Sequence, residues 1–236
     1  MNAPLYLDVR RQILSSITLG KWPTGTPLPN ESELSREFGV SVGTLRKAVE
    51  ELVHDKILVR QQGRGTFVAT HNVERTLLDF FRIRHNDGVS RFPEIETLSL
   101  RKISADENIA QRLHLVDGAK VYRIINLLNV NGLPAALDQI FLPAERFEGL
   151  NIDLFRSRSG TIYHLYQNRF GVNILKAEEQ VRACKCGAKE ARALQIPRST
   201  VLLEIERISR TYYDVPVEWR QTRVNTLHHY YSSELG

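Results

Sequence analysis

Ser41, Thr44, Arg46 and Lys47 stand close together in the stretch Ser41-Val42-Gly43-Thr44-Leu45-Arg46-Lys47-Ala48-Val49-Glu50-Glu51-Leu52, and Gln62-Gly63-Arg64-Gly65 follows a short way on. Hydroxyl, amide, ammonium and guanidinium donors in such an arrangement suit phosphate oxygens and base edges. The chemistry they point to is recognition of DNA. Catalytic patterns do not compete with it: there is no nucleophile elbow, no pair of carboxylates at catalytic spacing and no glycine loop to cradle a phosphate. Cys184 and Cys186 are too few for a disulfide framework and lack the further ligands of a zinc site, so reduced thiols are expected. His228 and His229 are adjacent, and neighbouring side chains point apart. No catalytic residue, metal or cofactor is expected.

The elements that position these residues are legible around them. Ser41 is a natural N-cap, and Leu45, Ala48, Val49, Leu52 and Val53 fall at helical spacing to form one apolar stripe. Thr44, Arg46 and Lys47 lie off that stripe. Upstream, Asn30-Glu31-Ser32-Glu33 has the form of a capping box, predicting a short helix over 31–38 that stops at Gly39. Helix, tight turn, helix is the result. Downstream, 57–62 and 66–68 read as two strands around Gly63-Arg64-Gly65, a wing with an arginine at its tip. Before all of these, Pro4 opens a helix whose buried face holds Tyr6, Val9, Ile13 and Ile17.

Leu28-Pro29-Asn30-Glu31-Ser32-Glu33-Leu34, Gly39-Val40-Ser41, Thr44-Leu45-Arg46 and Gln62-Gly63-Arg64-Gly65-Thr66-Phe67-Val68 together resemble the winged helix-turn-helix of the GntR-type bacterial repressors. The resemblance implies that Ser32, Ser41, Thr44, Arg46, Gln62, Gly63, Arg64 and Gly65 contact DNA, and Lys47, beside Arg46 on the outward face, is expected to join them. It also shows a departure. Many members carry an arginine directly after the serine, where this chain has Val42. Valine can touch a thymine methyl but cannot fork onto guanine, so the operator half-site is expected to differ.

The 236 residues, 42% hydrophobic and 25% charged, suffice for two domains with ordinary cores. The net charge of +5 fits a polyanionic partner but is spread evenly: 9 Lys and Arg against 7 Asp and Glu in the first 70 residues, 23 against 20 in the remainder. Placement of the arginines therefore carries more weight than their sum. No apolar stretch approaches a membrane span and no signal peptide is evident, so a cytoplasmic protein is expected. Residues 1–70 are expected to form the DNA-binding domain, 71–80 a linker, and 81–236 a second domain. In that second part strands are predicted over 96–103, 121–130, 135–142, 174–184, 201–212 and 217–224, and helices over 106–113, 161–170 and 188–194. Asn131-Gly132 is a strong hairpin signal. The fold class is α+β, with an antiparallel sheet in the C-terminal domain.

Val121-Tyr122-Arg123-Ile124, Asn131-Gly132-Leu133-Pro134, Leu142-Pro143, Thr161-Ile162-Tyr163, Phe170-Gly171-Val172 and Pro216-Val217-Glu218 are similar to the UTRA effector domain of the HutC-type GntR regulators, whose fold is chorismate lyase-like. The resemblance implies effector contacts at Asn126, Leu128, Asp138, Thr161 and Tyr163; Glu218 and Gln221, on the last long strand, and Arg91, Phe92 and Arg223 complete the expected effector site. Members with known ligands grip an anion with an Arg-x-Arg pair on the strand before the Asn-Gly turn and place a glutamate further on. Here those positions hold Asn126, Leu128 and Asp138. Neither Asn nor Leu supplies a bidentate cation, which argues against a phosphosugar held by that fork. A carboxylate is then left to Arg91 or Arg223, while Asp138 suits either a ligand with donors or a pocket wall satisfied by its neighbours. The expected function is a ligand-controlled repressor that binds a double-stranded, palindromic operator as a homodimer, takes a small-molecule metabolite as effector and engages no membrane.

Overall fold

The computed structural model describes residues 4–55, 57–69, 81–87 and 93–233. Its contacts divide the chain into two compact units, Met1–Thr70 and His71–Gly236.

In the first unit, helix α1 (Leu5–Thr18) buries Val9, Ile13, Leu14 and Ile17, with Pro4 as the N-cap rather than in the first turn. Helix α2 (Glu31–Glu37) begins with a complete capping box: Asn30 Oδ1 accepts the Glu33 N–H at 2.9 Å, and the Glu33 carboxylate accepts the Asn30 N–H at 3.3 Å. Gly39, at φ +65°, turns the chain at a conformation that favours glycine. Helix α3 (Val42–His54) follows; the Ser41 hydroxyl accepts the Thr44 N–H at 3.1 Å, and Leu45, Ala48, Val49 and Leu52 are buried. Strands β1 (Leu58–Gln61) and β2 (Gly65–Val68) pair antiparallel, Leu58 opposite Val68. Residues 25–28 run along β2, with the Leu28 N–H donating to the Thr66 carbonyl, so the wing is anchored on the side away from its tip.

The second unit is built on a six-stranded antiparallel sheet. In spatial order its strands are β4 (Glu94–Ser104), β5 (Lys120–Val130), β6 (Leu133–Pro143), β9 (Pro216–Asn225), β8 (Val201–Arg210) and β7 (Lys176–Lys185). The β5–β6 hairpin turns through Asn131 and Gly132, at φ +56° and +72°, the positive pair that an Asn-Gly hairpin turn uses. Helices α4 (Glu107–Leu113) and α7 (Ala188–Leu194) cover one face. There α4 packs on Val121, Phe141 and Trp219, and α7 on Leu127, Leu137 and Leu202. The opposite face carries α5 (Ile152–Arg156) and α6 (Ile162–Phe170) over Tyr122, Ile124, Ile140 and Leu142. Beside them lies a two-stranded ribbon of β3 (Ile83–His85) and β10 (His229–Tyr231), which packs with Phe81 over Leu128, Ala136, Ile205 and Val224.

The strands and helices agree with expectation within a few residues at their ends. Helix α5 and strand β10 were not foreseen: five and three residues respectively are too short to display a hydrophobic period. The expected linker lies outside the described residues. Among the described residues no helix is long and apolar enough to cross a membrane. Ile140 is fully buried beneath α6. Ile140→Ala is therefore expected to cost the second unit about 2–5 kcal/mol, read as a lower denaturant midpoint; an unchanged midpoint would contradict this packing.

Candidate DNA interface and effector site

Ser41, Arg46 and Lys47 are exposed and Thr44 is half-exposed at the start of α3; Ser32 on α2 and Gln62, Gly63, Arg64 and Gly65 at the wing tip are exposed as well. All nine expected DNA contacts thus reach the surface of one unit. Two of the cations are held by weak partners. Arg46 Nε donates to Glu31 at 2.7 Å with both side chains well exposed, and Lys47 Nζ lies 4.2 Å from the centre of the Tyr6 ring. Exposed pairs of this kind are worth about 0–1 kcal/mol, so exchange for a phosphate is cheap.

The second unit holds a polar site on the sheet face that α6 and the ribbon cover. Directly opposed strand residues share a face, and the register sets Thr97, Asn126, Asp138, Thr222 and Ile205 in one row across β4, β5, β6, β9 and β8. The neighbouring row runs through Ile140, Arg220, Arg207 and Glu179. Arg220 is the hub. It donates through Nε and Nη2 to both oxygens of Glu218, at 3.1 and 2.9 Å, and through Nη1 to Asp138 at 3.3 Å. Glu218, fully buried, also accepts from Tyr166 at 2.8 Å, Tyr163 at 3.1 Å and Ser209 at 3.2 Å. Asp138 accepts the Thr222 hydroxyl at 2.6 Å. Beside it, Arg207 pairs with Glu179 at 2.5 Å, and Glu179 accepts from Tyr231 of the ribbon.

Burial and charge set opposite protonation tendencies for the two central carboxyls. Desolvation dominates at Asp138 and raises its pKa, against the pull of Arg220 and Thr222. At Glu218 desolvation is again the largest single influence, but Arg220, Tyr166 and Arg207 together outweigh it and hold the pKa below the ordinary value. Burial, with the Glu218 carboxylate second, raises Tyr163 and Tyr166, so both phenols stay protonated and donate.

Against this ordered network, polar atoms of three side chains in the same region have no hydrogen-bond partner. Both amide atoms of Asn126 and the Thr97 hydroxyl are buried without a hydrogen bond, as is Arg158 Nε. An unmade hydrogen bond of this kind costs about 1–3 kcal/mol per group. Beside Asp138, the cross-strand neighbour of Asn126, lies a cavity of about 30 Å³ lined by Phe81, Ile83, Leu128, Asp138, Thr222 and Tyr231 together with Arg82, Glu179, Ile205, Arg207 and Arg220, large enough for a water and little more.

Of the expected effector residues, Asn126, Leu128, Asp138, Tyr163 and Glu218 share this face. Thr161 caps α6, its hydroxyl accepting the His164 N–H at 3.1 Å. Gln221 and Arg223 do not join them. Strand alternation turns both to the other face, where Gln221 accepts from Gln139 and Arg223 pairs with Glu190 and Glu204. A carboxylate beside Asp138 is therefore out of reach of Arg223. Arg91 and Phe92 lie outside the described residues. Sequence reasoning missed Thr97, Arg207, Arg220, Thr222 and Tyr231. Glu218-x-Arg220-x-Thr222 was the available signal, but Trp219, Gln221 and Arg223 interleave with it and blur the two-residue period.

Residues 90–229 match the model of the UTRA domain, more than half of the chain, and residues 5–68 match that of the bacterial regulatory proteins of the gntR family. The chain belongs to the GntR family. As a GntR protein it is 27% identical over 215 residues to a probable fructoselysine utilization operon transcriptional repressor of Escherichia coli K12, covering 90% of this chain and 87% of that one. It is also 27% identical over 207 residues to the transcriptional repressor NagR of Bacillus subtilis, covering 86% and 83%. Among solved structures, the ligand-binding domain of a GntR-family regulator from Bordetella bronchiseptica superposes with a TM-score of 0.63 at 31% identity, over 66% of this chain and 98% of that one. YydK of B. subtilis matches over 98% and 99% with a TM-score of 0.57 at 18% identity, a likeness of fold.

Glu218→Gln leaves Arg220 buried with Asp138 alone and is expected to cost about 3–5 kcal/mol, with Glu218→Gln/Arg220→Met costing less than the single change. The pH dependence follows from the shifts. Glu218's lowered pKa contributes stability above the ordinary carboxylate value that is lost as pH falls through the lowered one; Asp138's raised pKa has the opposite sign, its contribution being lost as pH rises through the raised value. Urea midpoints between about pH 3 and 7 should therefore fall less steeply in acid for Glu218→Gln than for the parent. An identical acid slope would contradict the assignment.

Proposed function

We propose that this GntR protein is a transcriptional repressor that binds a palindromic operator as a homodimer and is controlled by a small molecule seated on the Asn126–Asp138 face of its UTRA domain. In this reading residues 1–70 are the DNA-binding domain, 71–80 the linker and 81–236 the effector-binding and dimerisation domain, and the protein acts in the cytoplasm, where its operator is. The observation that carries it is the pairing of a cationic, solvent-facing α3 start and wing tip with a second unit that buries unmatched polar groups. The first has the donors for duplex DNA; the second has unmet hydrogen-bonding capacity for a ligand.

Arg46, at the first turns of α3, is assigned to the major groove with Thr44 and Ser41, and Arg64 at the wing tip to the backbone or the adjacent groove. Ser32, Lys47, Gln62, Gly63 and Gly65 complete the contact set. Val42 offers only apolar contact. The effector's route to control runs through the ribbon. Strand β3 is the first described element after the expected linker, and Phe81, Ile83 and Tyr231 roof the small cavity. A ligand larger than water must displace them, and the displacement is carried along the chain toward residues 1–70. A coupling of about 1–3 kcal/mol suffices to change operator affinity 5- to 150-fold. Turnover is not part of this reading, because Glu218 and Asp138 are committed to Arg220 rather than poised over a substrate.

The test is selection of duplexes from a random pool by the full chain, followed by titration at several salt concentrations. A palindrome with half-sites about one helical turn apart is expected. Arg46→Ala and Arg64→Ala should each weaken binding markedly, the loss of a phosphate contact lowering the slope of log K against log salt by about 1. An asymmetric selected site, or unchanged affinity for both variants, would contradict the proposal.

A further inference from the structure

The effector site described above has a chemical signature, and the following rests on that site being the effector site. We infer that its ligand is an uncharged, hydroxyl-rich small molecule, a polyol or an unphosphorylated sugar, read by Asn126, Thr97 and Asp138.

Charge decides the first half. Two carboxyl groups, Asp138 and Glu179, and three guanidiniums, Arg82, Arg207 and Arg220, line the cavity, and a third carboxylate, Glu218, stands behind Arg220. The guanidiniums are taken. Arg220 is forked by Glu218 and touches Asp138; Arg207 holds Glu179; Arg82 donates to Tyr231 and Ser233. A phosphate or carboxylate would have to displace an internal carboxylate at Arg207 or Arg220, or compete with two hydroxyls at Arg82, while facing Asp138. A cation would meet Arg220 and Arg207 at close quarters. Neither sign is favoured, and at the strand positions 126 and 128 the chain supplies an amide and a leucine.

The unmatched groups decide the second half. Asn126, with no exposed surface, offers a carbonyl and an amide NH₂ that bind nothing, and Thr97 across the strand pair offers a hydroxyl that binds nothing. Asp138, on Asn126's other side, accepts only. The row Thr97–Asn126–Asp138, whose last member lines the cavity, thus alternates donor and acceptor over a short distance. A hydroxyl is a donor and an acceptor at one atom, so neighbouring hydroxyls on one carbon frame can satisfy the amide at both ends and Asp138 as well. Leu128, Phe81 and Ile83 supply the apolar wall that the C–H face of such a frame needs.

The test uses the full chain and matched probes: glucitol, glucose and N-acetylglucosamine against glucitol 6-phosphate, glucose 6-phosphate, N-acetylglucosamine 6-phosphate and gluconate. A neutral member at about a hundredfold excess over its Kd is expected to raise Tm by about 5–10 °C, and its charged counterpart to do so less. Asn126→Leu and Thr97→Val should each weaken the response at least about tenfold. The ligand-free Tm supplies a second, ligand-independent readout. Because those groups are unpartnered without ligand, neither variant should lower it. A lowered ligand-free Tm in both variants would overturn the inference by making the groups structural, and so would the absence of a shift with any neutral member. A stronger shift with a phosphorylated or carboxylated member that Asn126→Leu abolishes would overturn the ligand class while leaving the site in place. A shift that neither variant alters would overturn the site itself.

Discussion

The second unit depends on Arg220 being buried between two carboxylates in the middle of a β-sheet. Taking three charges out of water costs several kcal/mol per ion, and the geometry recovers it only by satisfying nearly every lone pair of Glu218. Two phenols from α6, a serine from β8 and the Nε and Nη2 groups of Arg220 converge on that one carboxylate. Helix α6 must therefore dock where it does, and β9 must hold its register against both β6 and β8. A shift of one residue would turn Arg220 and Glu218 to the α4 face and Trp219 to this one. The ion cluster fixes alignment as much as it adds stability.

That frame also explains why unmet polarity collects where it does. The row from Thr97 to Thr222 separates an apolar cluster under α5 and α6 from another under the β3–β10 ribbon. Asp138 is satisfied by Arg220 and Thr222, whereas Asn126, one strand further from Arg220, is not. The same divide lies beneath Phe81 and Ile83, which follow directly on residues 71–80, and Tyr231, which pairs with Ile83. A hydrogen-bonded polar floor thus lies under an apolar roof, the two parts that the proposed switch uses. In the first unit the arrangement is inverted: the core of α1 and α3 is fully apolar, and the polar groups face solvent in loosely held pairs.

Most of the first unit was legible because its signals are local. The Asn30 capping box, the Ser41 cap, the Gly39 turn and the stripe from Leu45 to Leu52 each depend on residues within a few positions, and each appears in the structure as read. The Asn131-Gly132 hairpin was legible for the same reason. The polar site was only half legible. Asp138, Asn126, Tyr163 and Glu218 came from resemblance to relatives, but Arg220, Thr222, Arg207 and Thr97 are brought together by pairing between strands far apart in the chain. Arg223 and Gln221 were misplaced because β9 is polar on both faces, so alternation gave no way to choose between them.

Thermodynamic reciprocity tests the central claim most directly. The operator affinity of the full chain is measured with and without a compound that stabilises it, and the compound's affinity with and without operator. If operator and effector compete through one two-state protein, the two ratios are equal, of the order of 5- to 150-fold, and both collapse toward one in Asn126→Leu. An operator affinity that the bound compound leaves unchanged would contradict the account.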